Sequence, residues 1–351
     1  MGKMSRKDFL KTLFCYTASG MGLLELSRFT PMAEAQTTLP QTTNYTPPYL
    51  KLHRMGELKE RADRLWHVMK RCSLCPRVCQ TNRLAGKEGF CHSSDRLEIS
   101  SFHPHMGEEK TLVGNKGSGT IYFTNCNLRC AFCLNWEANM EGKGTPLSVK
   151  TLSALMLNLQ KKGCANINLV TPTHYLPHIL KAVDLAASEG LRLPLVYNTS
   201  GWELVTILQE LDGIIDVYLP DFKYSSSSMA AKYSSDASTY PQITQKALLE
   251  MQRQVGTAKP NAAGIINRGL MIRHLIMPNN VSGTKEVLAW IGANLPKDTY
   301  VNLMNQYVPI YKAKEYPEIA RRINKQENDQ AILWSQEAGL TNVKVKPFIE
   351  I

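Results

Sequence analysis

The chain of 351 residues lacks any run approaching 18 apolar residues, so a membrane-spanning helix is not expected. It also lacks a dense Lys/Arg run with interleaved aromatics, which argues against a nucleic-acid groove. No GxGxxG and no P-loop follow a strand, so the sequence carries no dinucleotide- or nucleotide-phosphate fingerprint. Charge is only mildly unbalanced. Of the formal +11, Lys3, Arg6, Lys7, Lys11 and Arg28 against Asp8, Glu25 and Glu34 account for part, leaving about +9 beyond residue 35. That excess suits an acidic partner or substrate. Apolar residues make up 43%, enough for a sizeable core.

Cysteine, by contrast, is plentiful and clustered. Of nine cysteines, Cys15 and Cys164 stand alone. Cys72, Cys75, Cys79 and Cys91 form one group, and Cys126, Cys130 and Cys133 another, in "TNCNLRCAFCLNW" (124–136). Four thiols could make two disulfides, but three cannot all pair. Gaps of two and three residues between cysteines let thiolates converge on one metal centre.

The triad follows a short β-branched and aromatic segment, "GSGTIYFTN", that reads as a strand. Beyond it, strands and helices alternate. A helix is expected from Ser148, its N-cap, with Val149, Leu152, Leu155, Met156 and Leu159 on one face. Strand "NINLV" precedes a helix opened by Pro177 and stopped by Gly190. "LPLVYNT" precedes helix 202–211, and "IIDVYLPDF" precedes helix 241–254. "GLMIRHLIMP" precedes helix 284–294, and "YVNLMNQY" precedes a helical stretch. "NVKVK" (342–346) is one more candidate strand. This order implies right-handed crossovers and a parallel sheet. The expectation is an α/β fold, a partial (β/α)6 TIM-like barrel over 116–351, with a helix plus Cys-rich segment at 51–115. In such barrels chemistry gathers at the C-terminal strand ends, where the triad lies.

Three thiolates leave one iron of a [4Fe–4S] cubane open to an exogenous ligand. CxxxCxxC after the first strand, with Phe132 before the third cysteine, resembles the radical S-adenosylmethionine (SAM) superfamily. "CSLCPRVCQTNRLAGKEGFC" (72–91), "NLVTPTHYLP", "LPLVYNTSGW", "VYLPDFKY" and "RHLIMP" extend the likeness to uncharacterised iron–sulfur proteins related to the pyruvate formate-lyase activating enzyme. The resemblance implies a radical SAM oxidoreductase with a [4Fe–4S] cluster on Cys126, Cys130 and Cys133. Such an enzyme cleaves SAM reductively to methionine and a 5′-deoxyadenosyl radical, which abstracts hydrogen, here putting a glycine on a protein partner forward as the target. It also implies a low-potential electron donor of flavodoxin or ferredoxin type.

Polar residues at the other strand ends are the candidate SAM contacts: Thr171 and Thr173, then Asn198 and Ser200, then Asp221 and Lys223, then His274, with Phe132 and Asn135 beside the cluster. Each has a plainer reading: a core histidine at His274, turn formers at Asn198 and Ser200, a rim ion pair at Asp221 and Lys223, packing at Phe132. The superfamily's Gly-Gly-Glu is missing after the second strand. Cys72, Cys75, Cys79 and Cys91 suit a closed second site: an auxiliary iron–sulfur cluster, a structural zinc or a rubredoxin-like iron.

The N-terminus raises a question of compartment. "SRKDFLK" looks like a twin-arginine export signal with Lys7 in place of the second arginine, and "AEA" (33–35) offers a cleavage site, so 1–35 reads as a leader and 36–50 as a Thr/Pro-rich linker. The leader points to export to the periplasm, whereas supplies of SAM and low-potential electrons point to the cytoplasm. The rival to an enzyme is therefore an exported, non-catalytic iron–sulfur protein for electron transfer or structure.

Overall fold

A computed structural model describes residues 45–349. The leader, Cys15 and the linker up to residue 44 lie outside the described residues.

Helix α1 (Tyr49–Arg54) and helix α2 (Glu57–Val68) stand where one helix was expected at the start of the 51–115 segment. Gly56, in the left-handed region at φ 79°, breaks them apart. The Cys-rich segment 72–94 follows in short turns. Strand β1 (Leu97–His105), helix α3 (Lys110–Val113), strand β2 (Ser118–Phe123), helix α4 (Trp136–Asn139) and strand β3 (Thr145–Leu147) come next.

Regular alternation then begins. Helix α5 (Val149–Lys161) is capped by Ser148, whose hydroxyl accepts from the Thr151 amide at 3.0 Å, as the sequence indicated. Strand β4 (Ile167–Val170), helix α6 (Leu176–Ser188), strand β5 (Leu195–Thr199), helix α7 (Val205–Glu210) and strand β6 (Val217–Pro220) follow. Helices α8 (Ser227–Tyr233) and α9 (Tyr240–Val255) lead to strand β7 (Gly269–Leu275). Helix α10 (Thr284–Asn294), strand β8 (Tyr300–Met304), helix α11 (Lys325–Glu337) and strand β9 (Val343–Val345) complete the order.

The nine strands form one sheet in the order β3-β1-β2-β4-β5-β6-β7-β8-β9. From β2 to β9 every pairing is parallel, while β1 runs antiparallel to β2 and β3. This is the partial barrel that the alternation implied, with an antiparallel flap added at one edge. The flap was not foreseen, because Pro104 and two histidines interrupt the alternation that marks a strand.

Period-two alternation sorts the strand residues between two cores. Val196, Val217, Leu219, Met271 and Tyr300 form one buried cluster with Leu112 from α3. Their neighbours Tyr197, Tyr218, Leu270, Ile272 and Val301 belong to the larger cluster, with Met156, Ile179, Val183, Leu248 and Ile291 from the helices. The segment carrying α3 joins β1 to the N-terminal end of β2, so Leu112 closes the inner core from that end. Asn166 anchors it, its Nδ2 donating to the Leu112 carbonyl at 2.8 Å.

Above that apolar plug lies an ion cluster. Arg273 of β7 pairs with Glu108 and with Glu109 (2.6 Å), and Asn302 of β8 donates to Glu109 at 2.7 Å. Burial opposes the Glu109 charge, yet the Arg273 guanidinium and the Asn302 amide hold its carboxyl down at about 2. Among the described residues, no helix is long and apolar enough to cross a membrane.

Candidate active site

Strand β2 delivers the triad. Two residues beyond its last residue, Phe123, comes Asn125, held in the left-handed region at φ 66°, a conformation asparagine tolerates well. The chain then folds back so that Cys126, Cys130 and Cys133 face one another closely enough to interact electrostatically. Arg129 is also left-handed at φ 54°, and its carbonyl accepts from Ser235 Oγ at 3.0 Å. A second latch joins the Ala131 amide to the Tyr233 carbonyl at 2.7 Å. The last residue of α8 and the segment after it therefore grip the cysteine loop at two points.

All three thiols are free, and each sulfur has a donor aimed at it. The Leu128 amide lies 3.4 Å from Cys126, Ser234 Oγ 3.0 Å from Cys130, and Asn139 Nδ2 3.4 Å from Cys133. Burial pushes the Cys130 thiol up to about 12, with Lys223 and Ser234 pulling the other way. Burial likewise takes Cys133 to about 11, offset by Asn139, the Asn135 amide and Lys223. Thiols so buried ionise only when a cation replaces the proton, and the donors around them are placed for thiolates. The donor set thus fits a metal–sulfur cluster with three protein ligands. Among the described residues, no three His, Cys, Asp or Glu side chains converge tightly enough to hold a single ion.

The strand ends bring most of the other candidates to the same rim. Lys223 Nζ lies 2.7 Å from Asp221 Oδ2, and both are largely buried. Burial opposes its charge, but Asp221 and the Cys130 sulfur raise the Lys223 pKa above its ordinary value. Gly201, at φ 80°, lets the turn after β5 touch the end of β6: a Cβ there would lie 2.1 Å from the Asp221 carbonyl oxygen. Only glycine fits, and the contact draws Ser200 to Asp221 and Lys223. Tyr240 reinforces it, its hydroxyl lying 2.7 Å from the Ser200 carbonyl and 2.9 Å from that of Asp221.

Thr171 sits at φ 59°, costly for a β-branched residue, and its amide donates to the Asn198 carbonyl at 2.9 Å. Asn198 Oδ1 accepts from Arg273 at 3.4 Å. Ser200 Oγ is buried with no partner. Phe132 is buried, edge-on to Tyr224 and Tyr307. Asn135 is exposed and precedes α4.

His274 is different. It is fully buried, with Nδ1 2.6 Å from the Phe222 carbonyl and Nε2 2.9 Å from Thr284 Oγ1. Both nitrogens are engaged within the wall of the barrel, so His274 is a core histidine with nothing left for a ligand.

Two residues escaped the sequence reading. Ser234 lay in a serine-rich run that reads as loop, yet its hydroxyl meets Cys130 and lies 2.9 Å from that of Tyr224. Glu203 follows the turn after β5. Its carboxylate is fully buried, accepting from Thr173 Oγ1 at 2.6 Å and from Thr199 Oγ1. It underpins two strand ends of the rim, although no acid occupies the Gly-Gly-Glu position. An acid one residue from Trp202 in an otherwise apolar stretch was the available signal.

Burial raises the Glu203 pKa to about 7, against stabilising hydrogen bonds from Thr173 and Thr199. A carboxyl raised on folding contributes its full stability below its unfolded value of about 4.3 and loses it as pH climbs through the folded value. Glu203→Gln is therefore expected to weaken the fall of the thermal unfolding midpoint between pH 4 and pH 8. Identical slopes in the two proteins would show that the carboxyl is not buried as described.

The comparisons with known proteins agree with this rim. The family model described as the Radical SAM superfamily matches residues 120–238, from within β2 to just past the segment that latches the triad. An uncharacterized protein of Methanocaldococcus jannaschii is 30% identical over 284 residues, which cover 78% of this chain and 77% of the relative. With a CxxxCxxC loop at the end of the first parallel strand and relatedness spread over three quarters of its length, the chain belongs to the radical SAM superfamily.

Proposed function

We propose that this radical SAM enzyme abstracts hydrogen from a glycine on a folded protein partner, an activating role like that of the pyruvate formate-lyase activating enzyme. Cys126, Cys130 and Cys133 would hold a [4Fe–4S] cluster. When bound, that cluster and SAM together supply a reductive cleavage yielding methionine and a 5′-deoxyadenosyl radical. Lys223 is the cation available for the carboxylate of SAM, because a buried ammonium beside thiolates needs anionic partners. The unpartnered Ser200 hydroxyl, the Thr171–Thr173 turn and Asn198 offer polar contacts, and Phe132 offers an aromatic face for adenine.

The observation that carries the activating role is the open sheet. Strands β3 and β9 are both edges, so the described barrel does not close and a loop of another protein has a way in. The net positive charge suits such a partner. For the electron donor, a cleft of about 190 Å³ beside the cysteine loop is lined by Arg129, Lys312 and Lys232, the last paired with Glu318, together with Tyr233, Tyr311 and Tyr316. That basic surface favours an acidic protein of flavodoxin or ferredoxin type.

Mixing the reduced enzyme with SAM and the product of a neighbouring gene is expected to give a glycine-centred doublet in electron paramagnetic resonance. Deuterium entering 5′-deoxyadenosine from a small metabolite instead would overturn the activating role while keeping the radical chemistry. The rival, a non-catalytic iron–sulfur protein, requires that no 5′-deoxyadenosine form at all.

A further inference from the structure

The second cysteine group is used by nothing described so far. Cys72, Cys75 and Cys91 are buried, and all four thiols of the group are free. The sulfurs of Cys79 and Cys91 both lie within 4 Å of the point where a side chain on Gly89 would begin, so the absent side chain leaves room between them. Cys72 and Cys79 lie close enough to interact, and Cys75 interacts electrostatically with both Cys72 and Cys91.

Against this group lies Arg83, fully buried. Its guanidinium donates to the carbonyls of Ser94 (2.7 Å) and His174 (2.8 Å), with Nη1 4.0 Å from Cys72 Sγ. Among the described residues it makes no ion pair with a carboxylate. A buried cation without a carboxylate calls for negative charge nearby, and the thiols are the groups there able to supply it.

Arg77 stands between the two cysteine groups. Its Nε donates to the Asn127 carbonyl at 3.0 Å and its Nη2 to the Ser234 carbonyl at 3.1 Å. The guanidinium rests 3.9 Å over the Phe90 ring and 4.8 Å over that of Trp202. It feels Cys75 on one side, Cys126 and Cys130 on the other, and also Asp236. The Asn127 side chain lies in the same gap, its Oδ1 3.9 Å from Cys126 Sγ and its Nδ2 buried without a partner.

We propose that Cys72, Cys75, Cys79 and Cys91 hold a second, negatively charged iron–sulfur cluster, and that Arg77 is a positioning residue whose charge couples it to the triad. The coupling rests on the cluster proposed for Cys126, Cys130 and Cys133, whereas the second centre stands without it. Removing a positive charge between two anionic centres disfavours adding an electron to either.

The test uses the full chain reconstituted anaerobically with iron and sulfide, and also purified as isolated. A Cys126→Ala/Cys130→Ala/Cys133→Ala variant is expected to keep about half of the wild-type metal, lost when Cys72→Ala and Cys75→Ala are added. Iron with sulfide in that remainder bears out the cluster, and zinc in its place overturns it. A folded triad variant without bound metal overturns the second centre, whatever the outcome for SAM cleavage. In a redox titration followed by electron paramagnetic resonance, Arg77→Ala is expected to disfavour reduction of the triad centre about tenfold, or about 59 mV for one electron. Arg77→Lys is expected to restore most of it. An unchanged potential in a metal-replete Arg77→Ala protein overturns the coupling.

Discussion

Cys130→Ala is expected to reduce SAM cleavage to background while the protein still folds, and Cys126→Ala and Cys133→Ala are expected to do the same. Each thiol is one of three, and a three-thiolate site has no spare ligand. Cys130 is the most instructive, because burial raises its pKa while Lys223 offsets part of that rise and Ser234 Oγ lies 3.0 Å from its sulfur. The variant removes that acceptor and leaves the Ser234 hydroxyl with Tyr224. Cys164→Ala is the control: Cys164 is buried and free but remote from both groups in sequence. It is expected to retain activity at a modest loss of stability. Near wild-type cleavage in any triad variant would falsify the assignment of that thiol.

The largest effect on stability is expected from Arg273→Met, about 3–5 kcal/mol at neutral pH, because removing one partner of a buried ion cluster leaves the others uncompensated. Arg273, Glu108 and Glu109 have side chains 16%, 8% and 2% exposed, so water does little to screen the two carboxylates that remain. The pH dependence gives an independent check. Folding depresses the Glu109 pKa to about 2, so its contribution is complete above the unfolded value and disappears as pH falls through the folded one. The gap between wild type and variant is therefore expected to narrow as pH drops from about 4.3 towards 2. Denaturant unfolding at pH 7 and pH 3 measures it, and a gap that stays constant contradicts the role given to Arg273.

The elements and the cysteine loop were legible in the sequence because their signals are local. CxxxCxxC spans eight residues, Ser148 and Pro177 mark helix starts within one turn, and the apolar runs of β4 to β8 are those of strands buried on both faces. Features that depend on distant contacts were hidden. Glu203 matters because Thr173, thirty residues away, donates to it, and Ser234 because the chain returns to Cys130 over 104 residues. Nothing local marks Arg77 within the Cys-rich segment; its partners at Asn127 and Ser234, 50 and 157 residues on, do. His274 misled in the opposite direction, since its place on a barrel strand suggested a ligand while its two hydrogen bonds make it part of the wall. Strand β1 was missed because pairing with β2, rather than its own composition, holds Pro104 and its histidines in the sheet.

The central claim is that the Cys126, Cys130 and Cys133 loop makes this protein a radical SAM enzyme. Its most direct test is product analysis of the full-length, iron-replete protein incubated with SAM and dithionite under anaerobic conditions. 5′-Deoxyadenosine and methionine are expected from the wild type and not from Cys130→Ala. Wild-type protein that carries its iron and sulfide, accepts electrons and yet forms no 5′-deoxyadenosine would contradict it.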